Sequence, residues 1–198
     1  MQQQGPTANQ CAVCEVASRN DLLAWLTSVP DIFLFGGVVK HLVNSSAHPT
    51  FADIDAIATS PKVAEQLSTN FGYRFIQVSR RDQYPRYKLG KSASHREVIQ
   101  LLEMTTEADA KAFIYNAQYD IDRVSVSNQQ LHFAPTISES AALRGINEKV
   151  ARRVPGPRDL RFFSPYRQQI EQRHKLKLLR KGFTVHDEFS TIPHTKIL

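Results

Sequence analysis

The segment Asp53-Ile54-Asp55-Ala56-Ile57-Ala58 constrains this chain most, because it sets two acids into an otherwise apolar strand-like run. Side chains alternate along a strand, so Asp53 and Asp55 project from one face about 7 Å apart. Two carboxylates so close make a poor core, since burial penalises each charge and the other adds repulsion. They suit oxygen ligation of one or two divalent cations, and Mg²⁺ takes carboxylates together with substrate phosphates. Upstream, Ile32-Phe33-Leu34-Phe35 is a short apolar run that stops at Gly36-Gly37, and helical spacing resumes through Val39, Leu42 and Val43. A glycine pair at such a strand-to-helix turn removes side chains, so backbone N–H groups can approach a phosphate.

The rest of the chain alternates strands and helices. Asn20-Asp21 caps a helix carrying Leu22, Leu23, Trp25 and Leu26, which Pro30 ends. Residues 44–50 form a loop, and a helix opens at Pro61 and closes at Gly72. Strands are expected over Tyr73 to Val78, Tyr84 to Leu89 (with Gly90-Lys91-Ser92 as a turn) and Glu97 to Met104, then a helix over Glu107 to Tyr115. Asp120 to Val126 and Leu131 to Phe133 read as a hairpin about Ser127-Asn128-Gln129-Gln130. Beyond Thr136 the pattern is helical, broken at Pro155, Pro157 and Pro165. Its last helix, Arg167 to Lys181, ends at Gly182, with Ile170 and Leu178 expected to pack. No internal repeat is visible. The expected fold class is α/β (α+β), a mixed sheet with flanking helices and a short C-terminal helical extension. The organisation is an N-terminal tail and helix start (1–20), a head domain (21–135) and a basic helical extension (136–198).

Charge is uneven along the 198 residues. Residues 144–181 hold 12 of the 25 Lys and Arg against three acids, whereas residues 1–143 hold 12 basic and 14 acidic groups. A basic block after a nearly neutral one fits a polyanion partner, because Lys and Arg displace counterions from phosphates. Arg173, Lys177 and Arg180 recur at i, i+4 and i+7 and share a helical face suited to RNA or nucleotide phosphates. Cys11 and Cys14 form C-x-x-C without the second ligand pair of a structural zinc site, and read as incidental thiols at a helix start. Their usage fits a reducing compartment. The longest apolar run, near 32–39, is too short for a bilayer, and the Gln-rich start, expected to be a frayed tail, lacks an export signal. The expected setting is cytoplasmic, with no membrane partner.

The ordered elements F-G-G-V-V-K (Phe35 to Lys40) and D-I-D-A-I-A (Asp53 to Ala58) resemble the head domain of tRNA nucleotidyltransferases and poly(A) polymerases, within the polymerase-β-like nucleotidyltransferase superfamily. The resemblance covers residues 31–135 with decreasing quality. It implies that Gly36 and Gly37 hold a nucleoside triphosphate, with Lys40 assisting, and that Asp53 and Asp55 are the catalytic residues that bind Mg²⁺ (or Mn²⁺). Tyr119-Asp120-Ile121-Asp122-Arg123 is similar to that group's D-F-T motif, which makes Asp120 and Arg123 candidate nucleotide contacts. Lys40 and His41 stand where the group usually has Arg and Asp. Gln100 aligns with the place of a third carboxylate, while Glu97 and Glu103 fall on the opposite face of a regularly paired strand.

The implied function is transfer of an NMP from an NTP, ATP or CTP, to an acceptor hydroxyl, foremost an RNA 3′ end such as that of tRNA. Two readings stand beside it: an inactive RNA-binding or regulatory module of the same fold, and a transferase acting on a protein acceptor. Donor base, acceptor and oligomeric state are open at this stage.

Overall fold

The central pair of strands follows directly from the apolar runs. β1 (Ile32–Phe35) and β2 (Asp53–Ala58) lie antiparallel, with Phe35 opposite Asp55 and Ile32 opposite Ala58. This computed structural model describes residues 8–51, 53–79, 85–155 and 167–187, with the side chains of 8–12 and 167 left aside. Residues 1–7, Tyr84, Pro157, Pro165 and the side chain of Cys11 therefore lie outside the described residues.

Seven strands form one mixed sheet in the order β3-β4-β5-β2-β1-β6-β7. The outer strands are β3 (Arg74–Gln77), β4 (Arg86–Lys91), β5 (Val98–Glu103), β6 (Val124–Ser127) and β7 (Gln130–Phe133). β5 runs parallel to β2; every other neighbouring pair is antiparallel. Four helices precede the outer strands: α1 (Ala8–Ala17), α2 (Asp21–Ser28), α3 (Gly37–Val43) and α4 (Lys62–Phe71). The Asn20 side chain accepts from the Leu23 N–H and starts α2, and Gly72 closes α4 in the left-handed region. The main core unites Leu22, Leu26, Val38, Leu42, Val63 and Leu67 with Leu34, Ile54, Ala56, Ile99 and Leu101 from one sheet face.

α5 (Glu107–Tyr115) covers part of the other face, where Phe33, Ile57, Met104, Ala110 and Ile114 form a second cluster. Period two places Asp53 and Asp55 on that face with Ile57, beyond the apolar patch that α5 covers. After a 3₁₀ turn (Asp120–Asp122) and the β6–β7 hairpin come α6 (Glu139–Glu148), β8 (Val150–Arg152), α7 (Arg167–Arg180) and β9 (Thr184–His186). β8 and β9 pair in parallel as a small second sheet. Val13 and Ala17 of α1, and Leu178 and Phe183 at the C-terminal end, belong to the main core cluster. Among the described residues no helix is long and apolar enough to cross a membrane.

Several sequence expectations change. Asn9 lies in α1 rather than in a tail. Gly90 and Lys91 belong to β4, not a turn; a Cβ on Gly90 would stand 2.4 Å from the Phe75 ring on the paired strand. Asp120 to Asp122 form the 3₁₀ turn instead of extending β6, whereas the hairpin turns where expected, at Asn128 and Gln129, both at positive φ as a tight primed turn requires. Ile170 stays 51% exposed, while Leu178 is buried. The β8–β9 sheet was not visible in the sequence because three-residue strands carry no readable alternation.

Gly145 supplies a test of the packing. It lies inside α6, where alanine ordinarily stabilises a helix by about 1 kcal/mol. Here an added Cβ would meet the Val150 carbonyl oxygen at 2.6 Å and Ile121 Cγ2 at 2.9 Å. Gly145→Ala is expected to reverse the usual sign and destabilise by about 1–3 kcal/mol in urea denaturation.

Candidate functional site

β1 and β2 bring the glycine turn and the acid pair together. Gly36 has φ +72°, and a Cβ there would stand 2.7 Å from Asp55 Oδ2, so both backbone conformation and close approach require glycine. Gly37 opens α3, and its Cβ position is 3.8 Å from Phe51 and 4.0 Å from Lys181 Nζ. Asp55 faces Gln100 across the parallel β2–β5 pair. The Gln100 amide donates to Asp53 Oδ2, and its Oε1 accepts from the Tyr87 hydroxyl at 3.0 Å. Glu103 points to the opposite sheet face, where Lys88 holds it at 2.6 Å. Among the described residues no third His, Cys, Asp or Glu joins the pair as a metal-binding group.

Burial, reinforced by the Asp53 charge, pushes the Asp55 carboxyl up to about 6, against the opposing pull of Lys177, Lys40 and Lys181. Two partly buried carboxylates in mutual repulsion, beside an approachable backbone, are a donor set that suits a hard divalent cation completed by phosphate and water oxygens.

Asp55, but not Asp53, lines a cleft of about 540 Å³. Gly36 and Asp55 line it with Gly37 and Lys40 of α3, and so do Glu171, His174 and Lys177 of α7 and Lys181 just past its end. Phe35, Phe113 and Ile170 give it an apolar wall.

Lys40 is placed otherwise than as a free phosphate ligand. It is 7% exposed, and its ammonium lies 2.5 Å from Asp122 Oδ1. The other Asp122 oxygen is 2.7 Å from His174 Nε2. Burial alone would raise the Asp122 carboxyl, but Lys40 and His174 hold it well below the ordinary carboxylate range. His41 turns aside: its Nδ1 lies 2.7 Å from the His48 carbonyl oxygen, and its ring meets Phe51 edge-on.

Asp120 and Arg123, expected at the nucleotide, do not line the cleft. Asp120 is buried and its Oδ1 accepts from the Ile121 and Arg152 backbone N–H groups at 2.8 and 2.9 Å, tying the 3₁₀ turn to β8. Burial raises its carboxyl, and those hydrogen bonds oppose the shift. Arg123 is 4% exposed and donates to the Ala117 carbonyl and to Thr136 Oγ1. Asp122, not Asp120, reaches the cleft. Arg173, Lys177 and Arg180 do share a shallow groove with Leu176 and Lys181, but only Lys177 of the three also lines the main cleft.

The architecture has known counterparts. It is similar to a Thermotoga maritima CCA-adding enzyme complexed with tRNA, with TM-score 0.60, 12% identity, and coverage of 90% of this chain and 42% of that one. It is also similar to a CCA-adding enzyme in complex with CTP, with TM-score 0.59, 13% identity and coverage of 89% and 43%. A complex of CCA-adding enzyme with ATP gives TM-score 0.52, 14% identity and coverage of 79% and 35%. The chain has a polymerase-β-like nucleotidyltransferase fold. No protein-family model matches it, and no curated protein is a significant match by sequence. The chain spans less than half the length of these structural counterparts.

On this nucleotidyltransferase fold, Asp122, His174 and Lys181 are cleft residues that the sequence reading did not single out. The D-I-D spacing held a signal for Asp122, but only the 3₁₀ turn sends the two acids to different neighbours. His174 on α7 and Lys181 just past its end lie more than 110 residues beyond Asp55 in sequence.

Two stability tests follow from these groups. With its carboxyl raised from 3.8 to about 6, native Asp55 keeps a proton that the unfolded chain has released, so stability falls as pH rises through that window. Asp55→Asn is therefore expected to stabilise the metal-free protein near pH 7.5 by on the order of 2 kcal/mol, a gain that fades below about pH 4 in urea melts. Lys40→Met leaves Asp122 buried without its ammonium partner and is expected to cost about 3 kcal/mol or more; Lys40→Met/Asp122→Leu should regain most of that loss.

Proposed function

We propose that this chain is a Mg²⁺-dependent (or Mn²⁺-dependent) nucleotidyltransferase that moves an NMP from ATP or CTP to an acceptor hydroxyl, foremost the 3′ end of an RNA such as tRNA, as part of cytoplasmic tRNA processing. The observation that carries this reading is the convergence of Asp55, with Asp53 beside it on the same strand face, and Gly36-Gly37 on a cleft lined by lysines and aromatic rings. The fold it shares with CCA-adding enzymes supports the class of chemistry.

In this reading Asp53 and Asp55 hold the metal, and Gln100 orients Asp53 through the amide hydrogen bond. A divalent ion bound there lowers the pKa of an attacking hydroxyl and stabilises charge on the α-phosphate and departing pyrophosphate. Gly36-Gly37 lets the β- and γ-phosphates approach the backbone without a side chain between. The wall of Phe35, Phe113 and Ile170 offers the nucleobase apolar surface. The Arg173 and Arg180 groove serves the acceptor RNA through its phosphates.

One observation favours the alternative of an inactive RNA-binding module: a neutral amide, Gln100, faces Asp55 and bonds Asp53. The two readings separate when wild-type protein and Asp53→Ala/Asp55→Ala are incubated with Mg²⁺, total RNA and each of four labelled NTPs, and labelled RNA, protein and small molecules are resolved. The transferase reading expects label on RNA, from ATP or CTP, reduced by at least about 10²–10³-fold in the double variant. Absence of label, with RNA still retained in a salt-sensitive way, would establish the module instead.

A further inference from the structure

α7 is fixed about its own axis by polar and apolar anchors together, and the ion pairs of Glu171 with Arg153 and of Lys175 with Asp187 add to them. His174 bonds Asp122, Leu178 is buried in the main core, and Phe183, just past the helix, is buried beside it. At 100° per residue, the phase that sends 174 and 178 inward also carries 177 and 181 to the cleft side. Lys177 and Lys181 accordingly line the cleft with Gly36, Gly37 and Asp55, and Lys181 Nζ reaches within 4.0 Å of the Gly37 Cβ position.

Their surroundings differ from those of Lys40. Lys40 has its counter-ion in Asp122, whereas among the described residues neither Lys177 nor Lys181 is in an ion pair. The two sit one helical turn apart, where like charges repel, and burial together with Lys177 and Lys40 pushes the Lys181 ammonium down. An anion between them would relieve that repulsion, and compact ammonium groups bind phosphate as point charges. Lys177 and Lys181 are exposed and line the Arg173 and Arg180 groove as well, but Arg173 and Arg180 do not line the cleft, where the two lysines stand with Asp55 and the glycine turn.

We propose that Lys177 and Lys181 are a clamp for the triphosphate of the bound nucleotide, so that α7 completes the donor site rather than serving RNA alone. This inference rests on the cleft being a nucleotide site. It assigns to α7 the cationic task that Lys40, held by Asp122, does not perform.

The test uses inorganic tripolyphosphate as probe, titrated calorimetrically into the full chain at low salt, alongside NTP kinetics. Lys177→Gln/Lys181→Gln is expected to weaken tripolyphosphate binding and to raise the KM for NTP by about tenfold or more. Lys177→Arg/Lys181→Arg should retain most binding. Lys62→Gln/Arg74→Gln removes two charges from exposed positions on α4 and β3 and should leave both quantities unchanged. The clamp is overturned if wild-type protein does not bind tripolyphosphate, if the control loses as much, or if the lysine variant leaves binding and KM unaltered. Lysine-dependent tripolyphosphate binding without NMP transfer would defeat the transferase reading and uphold the clamp. Transfer with an unaltered KM in the lysine variant would do the reverse.

Discussion

The buried contact among Lys40, Asp122 and His174 is the interaction on which the site's geometry depends. It joins α3, the 3₁₀ turn and α7, three elements separated by 82 and 52 residues along the chain. A carboxylate taken out of water needs both oxygens satisfied, and here an ammonium and an imidazole supply the partners. Besides that node, α7 is held by the burial of Leu178 and, among the described residues, by the ion pairs of Glu171 with Arg153 and of Lys175 with Asp187. Together these bonds set which residues of a basic helix face inward.

The sheet solves a different problem, that of keeping two acids close without burying them fully. β1 and β5 flank β2, so the carboxylates stand on the central strands, where backbone positions are held on both sides. The apolar residues of β2 that share their face continue under α5, which covers Ile57 and leaves the acid end to the cleft. The tension in Asp55 arises from this arrangement: desolvation comes from the fold, repulsion from Asp53, and partial relief from three lysines. Opposing influences of this kind on one carboxyl are what a cleft built for charged ligands carries, and the proposed metal and phosphate sites both draw on them.

This chain spans less than half the length of the CCA-adding enzymes it resembles in fold, and several polar groups around its cleft find partners in its own side chains and backbone. Gln100 braces Asp53 as a neutral donor, Lys40 serves Asp122, and His41 packs against Phe51 and the His48 carbonyl. A short helical extension then brings cations to the glycine turn. Local charge around the acid pair is therefore assembled from both ends of the chain.

Much of the sheet and its flanking helices was legible in the amino-acid order, because period-two and period-3.6 patterns are local and Asn20, Pro61 and Gly72 mark boundaries through their own side chains or φ preferences. The same alternation placed Asp53 and Asp55 on one face, and Gly36-Gly37 at the end of β1 followed from an apolar run meeting two residues without side chains. What the order of residues could not convey was which acid of Asp120-Ile121-Asp122 faces the cleft, that Lys40 is already paired, or that Lys181 stands near Gly37. Those outcomes depend on contacts across 82, 52 and 144 residues of chain, where burial and charge decide each partner only after the elements have packed. Local periodicity determined the elements and the acid pair; the packing of α3, the 3₁₀ turn and α7 decided which charges remain for a ligand.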